Sequence, residues 1–108
     1  MSCRLVQRAS ARRDILAIID HITDDNPAAA EAVYEAYEHS FELLMSTPDM
    51  GRVYDSDNPR LAGIRFITIH RYSNYLIFYR RTEAVVDVLH VWHGARDVAS
   101  LLEGDANI

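Results

Sequence analysis

Residues 64–92 read IRFITIHRYSNYLIFYRRTEAVVDVLHVW, and this stretch decides the fold. Three runs within it, 64–71, 75–81 and 85–92, are dense in β-branched and aromatic residues, which suit a pleated, half-buried surface. The links Ser73-Asn74 and Thr82-Glu83 are short enough for hairpin turns, so an antiparallel meander is expected. The alternation leaves no polar face. Ile64 and Phe66 lie on one side, and Ile67 and Ile69 on the other, beside Arg65 and Arg71. Tyr75, Ile77 and Tyr79 oppose Leu76, Phe78 and Arg80; Val86, Val88, His90 and Trp92 oppose Val85, Leu89 and Val91. A sheet with one face in water should present a polar set of alternate residues. Here both faces need a cover.

Upstream the hydrophobic period lengthens to that of a helix. Ser10 suits an N-cap, and Ala11, Ile15, Ile18, Ile19 and Ile22 then form an amphipathic stripe. Asp24-Asp25-Asn26-Pro27 ends this helix and starts another, with Asn26 as the cap and Pro27 at the first helical position. The second helix carries Ala30, Val33, Tyr34, Tyr37, Phe41 and Leu44 on one face, and Glu31, Glu35, Glu38 and Glu42 mostly opposite. It should end near Ser46, before Pro48. The short link between the helices predicts an antiparallel hairpin. Residues 3–7 read as an opening strand, 47–63 hold the loop signals, Gly94 breaks the last strand, and 96–102 suit a short helix. The expectation is an α+β fold, β-α-α-β-β-β-α, forming one domain over 1–108 with an antiparallel sheet packed on a helical hairpin. Two helices cover one face of such a sheet but not both. The other face is then an apolar and aromatic surface with arginine and histidine, the composition of a binding interface. The competing reading is that the short C-terminal helix, or a homodimer, covers it.

Charge narrows the function classes. Sixteen acidic residues stand against eleven arginines and no lysine, a net of −5. Bulk electrostatic binding of nucleic acid needs clustered cations, and this balance argues against it. The acidic excess falls in 14–42, and arginine returns in 52–81. The single cysteine, Cys3, makes no internal disulfide. Arginines and aspartates within the first twenty residues argue against a signal peptide or a membrane span, and a cytoplasmic location is expected.

Several segments, in this order, resemble toxins of the ParE branch of the RelE/ParE superfamily. They are Ala11, Asp14, Ile15 and Ile19; Asp25-Asn26-Pro27-Ala28-Ala29-Ala30; Leu43-Leu44 with Pro48-Asp49-Met50-Gly51-Arg52; Gly63-Ile64-Arg65; Tyr75-Leu76-Ile77-Phe78-Tyr79-Arg80; and Val91-Trp92-His93-Gly94-Ala95-Arg96-Asp97. The resemblance runs over nearly the whole chain. It implies the small RelE/ParE α+β fold and a type II toxin–antitoxin role, with a ParD-like or similar antitoxin wrapping the toxin in a hetero-oligomer. It further implies DNA gyrase as the target, whereas RelE-like relatives are ribosome-dependent mRNA endonucleases.

Cleavage of RNA through its 2′-hydroxyl needs an acid, a base and cations. Arg65, Arg80, Arg81, His90 and His93 are the available groups, and Arg65, Arg80 and His90 form the endonuclease set. The acidic, lysine-free composition and the His93-Gly94-Ala95-Arg96-Asp97 ending favour the ParE alternative, a toxin that is not an enzyme. Arg65, Tyr79, Arg80 and Trp92 are then the expected antitoxin contacts, and His93, Arg96 and Asp97 the target contacts. His90 and His93 would point to opposite faces of a strand, so no metal site is expected, and no motif asks for a cofactor.

Overall fold

The computed structural model describes residues 3–108. Strand β1 (Arg4–Gln7) leads into helices α1 (Ala9–Thr23) and α2 (Pro27–Ser46). Strands β2 (Arg52–Val53), β3 (Ile64–Ile69), β4 (Tyr72–Thr82) and β5 (Val85–His93) follow, with a 3-10 turn at Pro59–Leu61 before β3, and α3 (Val98–Glu103) comes last. The sheet runs β1-β5-β4-β3-β2; β1 lies parallel to β5 and the other pairs are antiparallel. The α+β arrangement is the expected one, but the sheet is mixed and not wholly antiparallel because β1 runs parallel to β5, and the two-residue strand β2 is added from within the loop region.

Asn26 caps α2 as expected, its side chain accepting from the Ala29 N–H at 3.1 Å, and Pro27 occupies the first turn. Ser10 does not cap α1. The helix begins at Ala9 after an extended Arg8, and the Ser10 hydroxyl donates instead to the Leu89 carbonyl at 2.7 Å. A carbonyl at the sheet edge competes for that hydroxyl and wins.

The helical hairpin covers one face of the sheet. Ala11, Ile15, Tyr37 and Leu44 pack there against Ile69, Ile77, Tyr79, Val86, Val88 and Val91. The second face is covered too, which corrects the expectation of an open apolar surface. Leu61 from the 3-10 turn and Leu102 from α3 close over Ile64, Phe78, Leu89 and Trp92, with Tyr54, Val98, Leu101 and Ile108 at the margin. The short C-terminal helix is thus part of the cover. Burying this set removes the large apolar patch that a bare second face would have exposed.

Strand register differs from strict alternation at one place. Phe78 pairs with His90 but Tyr79 pairs with Val88, so Leu89 has no residue opposite it. A bulge of this kind puts two consecutive side chains on one face. Val91 therefore joins Val86 and Val88 beneath the helices, while Leu89 and Trp92 share the other cluster, reversing the expected partners of Leu89 and Val91. The hairpin turns also move. Ile69 pairs with Tyr72, so the first turn is His70-Arg71, and Ser73-Asn74 lie inside β4. The buried Ser40 hydroxyl accepts from the His70 N–H at 3.0 Å and fixes that turn, with Arg71 at φ 71°. Thr82 pairs with Val85, which leaves Glu83-Ala84 as the second turn, with Glu83 at φ 49°.

Tyr79 anchors the loop after α2. Its ring is fully buried; its hydroxyl donates to the Pro48 carbonyl at 2.8 Å and accepts from the Gly51 N–H at 2.9 Å. Arg65, directly opposite Tyr79 in the ladder, donates to the Gly51 carbonyl at 2.9 Å and to the Asp49 carbonyl at 3.3 Å. A Cβ at position 51 would stand 2.5 Å from the Tyr79 hydroxyl oxygen, so only glycine fits beneath the loop. Tyr79→Phe strands two backbone groups and is expected to lower stability by about 1–3 kcal/mol. Gly51→Ala should cost a similar ~1–3 kcal/mol by overpacking. Urea unfolding checks both, as a lower midpoint at unchanged slope.

Candidate functional site

Strand β1 guards only the first half of the β5 edge. After the Arg8 N–H donates to the Val88 carbonyl at 3.0 Å, the chain turns into α1, and side chains take over the edge. Ser10 and Asp14, one helical turn apart on the same side of α1, satisfy the next backbone groups. Ser10 donates to the Leu89 carbonyl, and one Asp14 carboxylate oxygen accepts from the Val91 N–H at 3.1 Å.

That same Asp14 oxygen lies 2.6 Å from Nδ1 of His90, and Nε2 of His90 lies 2.5 Å from a carboxylate oxygen of Asp105. An ionised carboxylate only accepts hydrogen bonds, so a ring held between two of them donates from both nitrogens, which is the imidazolium form. Burial opposes the charge, but the hydrogen bonds that the ring donates to Asp14 and Asp105 outweigh it and raise the His90 pKa above the ordinary value. For Asp105, burial pushes upward, while the bond to His90 and the Asn107 N–H bring its pKa below the usual carboxylate value. The imidazolium stacks on Trp92 with centroids 4.2 Å apart.

A cleft of about 680 Å³ surrounds this cluster, bordered by Arg8, Ser10, Arg13, Trp92, Arg96 and Asn107. Arg8 is engaged: it pairs with Asp87 at 2.9 Å and donates to the Asn107 carbonyl at 2.5 Å. Arg13 and Arg96 are exposed and carry no ion pair among the described residues. Arg96 also borders a second, more apolar groove of about 330 Å³ formed by Ala17, Ile18, Tyr75, Val91 and His93.

The set Arg65, Arg80 and His90 is not assembled into one site. Arg65 faces with Tyr79 and holds the 49–51 backbone. Arg80, one residue further and therefore on the other face, donates to the carbonyls of Ala62 at 3.2 Å and Arg60 at 2.8 Å. His90 turns to α1 and to the residues after α3. Arg81 pairs with Asp49 at 3.0 Å. Every one of these cations is already occupied by the protein itself. Tyr79 and Trp92, expected as surface contacts, are buried, with Trp92 only 5% exposed, because loop and C-terminal segment close over the second face and the helices over the first.

Among His93, Arg96 and Asp97, two have local duties. His93 accepts from the Ala95 N–H at 3.0 Å and meets Tyr75 edge-on, while Asp97 caps α3 through the Ser100 N–H at 3.2 Å and hydroxyl at 2.8 Å. The Ser100 hydroxyl, and then its N–H, lower the Asp97 pKa. Arg96 is the free member. His90 and His93 pack against Trp92 and Tyr75, on opposite faces as the spacing predicted. Among the described residues no group of three or more metal-ligating side chains converges, and no helix is long and apolar enough to cross a membrane. Sequence reasoning missed Asp14 and Asp105. The four-residue spacing of Ser10 and Asp14 was a signal for the first; nothing local marked the second.

A family profile described as the ParE toxin of type II toxin–antitoxin system, parDE, matches residues 5–98. No curated relative matches the sequence. Among solved structures, a chain of the chromosomal ParDE toxin–antitoxin system from Pseudomonas aeruginosa is similar at TM-score 0.69 and 20% identity, covering 85% of this chain and 96% of its own. A chain of the toxin–antitoxin complex RelBE2 from Mycobacterium tuberculosis is similar at TM-score 0.52 and 25% identity, covering 86% and 99%.

The raised His90 pKa fixes the sign of a pH effect. Stabilisation from its charged form is complete below the unfolded histidine value of about 6.5 and is lost as pH rises through the folded value. The urea midpoint should therefore fall as pH increases above about 6.5, and His90→Gln should flatten that dependence. Asp14→Ala, which strands both the His90 ring and the Val91 N–H, is expected to cost about 1.5–3 kcal/mol near neutral pH.

Proposed function

Because the chain belongs to the ParE toxin family of type II toxin–antitoxin systems, we propose that it arrests growth in the cytoplasm by binding DNA gyrase, and that a ParD-like antitoxin neutralises it. The observation carrying this reading is the occupied state of the would-be catalytic cations. Arg65 and Arg80 each hold backbone carbonyls, on opposite faces of the sheet, and His90 is bonded at both ring nitrogens. An acid–base pair for RNA cleavage needs a group free to exchange a proton with substrate, and an imidazolium locked between two carboxylates does not meet that requirement. Inhibition through a protein surface asks for nothing of the kind.

For the target surface we assign His93, Arg96 and Asp97, with Arg96 making the contact and the other two shaping its loop. Arginine free of internal partners is the residue type that anchors interfaces. For the antitoxin surface we assign Arg65 and Arg80 at the rim of the 49–62 loop, near the exposed Met50 and Val53. Tyr79 and Trp92 support that surface from beneath.

Induced expression without antitoxin, followed by mapping of transcript ends and a supercoiling assay with purified gyrase, tests the proposal. Inhibited supercoiling with intact transcripts is the expected result; cuts within translated codons, abolished by Arg65→Ala, would replace it with RNA cleavage. Arg96→Ala should weaken gyrase inhibition by about tenfold or more, the effect of losing a ~1.4 kcal/mol contact, and leave antitoxin binding intact.

A further inference from the structure

The last residues of the chain, 104–108, form a strap across the cleft, and the least exposed of its polar ties runs through the His90 ring. Asp105 meets Nε2 of His90 at 2.5 Å, its carbonyl accepts from Arg60 at 3.0 Å, and the Asn107 carbonyl accepts from Arg8 at 2.5 Å. The two arginine contacts are solvent-exposed, whereas the His90 and Asp105 side chains are only 12% and 18% exposed. Exposed contacts add little, and a half-buried carboxylate without its partner is costly.

We propose that the imidazolium of His90 is a latch that holds this strap closed over Trp92, and that loss of one ring proton opens it. This inference is independent of the gyrase reading. The two carboxylates are unequal partners. Asp14 sits on α1, is fixed by the Val91 N–H, and stays when the ring becomes neutral, so the remaining N–H is kept at Nδ1. Nε2 then becomes a bare acceptor facing the Asp105 carboxylate, two acceptors with no hydrogen between them. The charged groups around the ring are Asp14 from α1, Asp105 from the strap, and Arg8, Arg13 and Arg96 along the cleft, with Asp87 neutralising Arg8. None can replace the lost proton in that contact. Leu101 and Leu102 hold α3 in the second core cluster and Ile108 packs at its margin, so opening is confined to the segment between them. Release widens the cleft beside the free Arg13 and Arg96 and exposes the indole.

Trp92 is the chain's one tryptophan and stacks on the latch, so its fluorescence reports both proton and strap. Acrylamide quenching of the full chain should rise severalfold as pH is raised from about 6 to about 9, spanning the ordinary histidine value and above. It should approach that of a chain lacking residues 105–108, which serves as the open reference. Asp105→Asn, whose amide can donate to the bare Nε2, should keep the strap closed and quenching low across the range, and in the wild-type chain amides of residues 104–108 should lose protection, normalised for intrinsic exchange, in step with the quenching. Equal quenching and equal tail protection across the range in the wild-type chain would overturn the latch, as would an Asp105→Asn transition at the wild-type pH.

Discussion

One hydrogen-bonded imidazolium ties the first helix and the C-terminal tail to the sheet. Asp14 comes from the first helix, His90 from the part of β5 that β1 leaves unpaired, and Asp105 from beyond the last helix. The arrangement exists because β1 stops short. With four residues it pairs β5 only as far as Val88, and the remaining edge would present unpaired backbone groups. Exposed strand edges invite unwanted pairing and buried ones lose hydrogen bonds. Side chains of α1 meet both problems, and Asp14 then has an oxygen in position to hold His90. The β5 bulge completes the geometry by bringing Leu89 onto the face that carries His90 and Trp92.

The sheet needs two covers, and they differ in kind. The helical hairpin is an ordinary amphipathic layer. The opposite cover is assembled from pieces too short to be stable alone: a 3-10 turn, a six-residue helix and a tail. Such pieces hold only when tied at several points. Arg80 and Arg60 fasten the 58–62 turn and the tail through backbone carbonyls, and Tyr79 with Arg65 fastens the loop that leads into it. Three arginines of this lysine-free chain, Arg60, Arg65 and Arg80, are spent in this way. Their planar, multiply donating heads suit carbonyl clamps better than lysine would, which gives a structural reason for cations on a protein of net charge −5.

Most of the architecture could be read from periodicity. The change from helical spacing in 11–44 to alternation in 64–92 located the hairpin and the meander, and Asn26-Pro27 marked the start of α2 correctly. What escaped were features decided by tertiary competition. Ser10 has the chemistry of a cap but was recruited by a strand carbonyl; the Leu89 bulge has no local signature; and the first turn was set by Ser40 from a distant helix. The covered second face was misjudged for a related reason. Leu61 and Leu102 lie in segments whose local pattern is that of loop and frayed helix, so their joint contribution appears only once the chain is folded. The candidate residues followed the same pattern. Arg65, Tyr79, Arg80, His90 and Trp92 were all picked out by type, yet type alone did not reveal that each one binds its own chain.

In this ParE-family chain Arg65, Arg80 and His90 are turned to its own carbonyls and carboxylates, whereas Arg96, between two grooves, stays free. The state of His90 underlies that surface, because the ring holds in place the segments that border it. Nitrogen NMR of the His90 ring in the folded chain near neutral pH tests this most directly. Both ring nitrogens should carry protons, with coupling or contacts to Asp14 on one side and Asp105 on the other. A neutral ring with one bare nitrogen under the same conditions would contradict the doubly bonded imidazolium that ties α1 and the tail to the sheet.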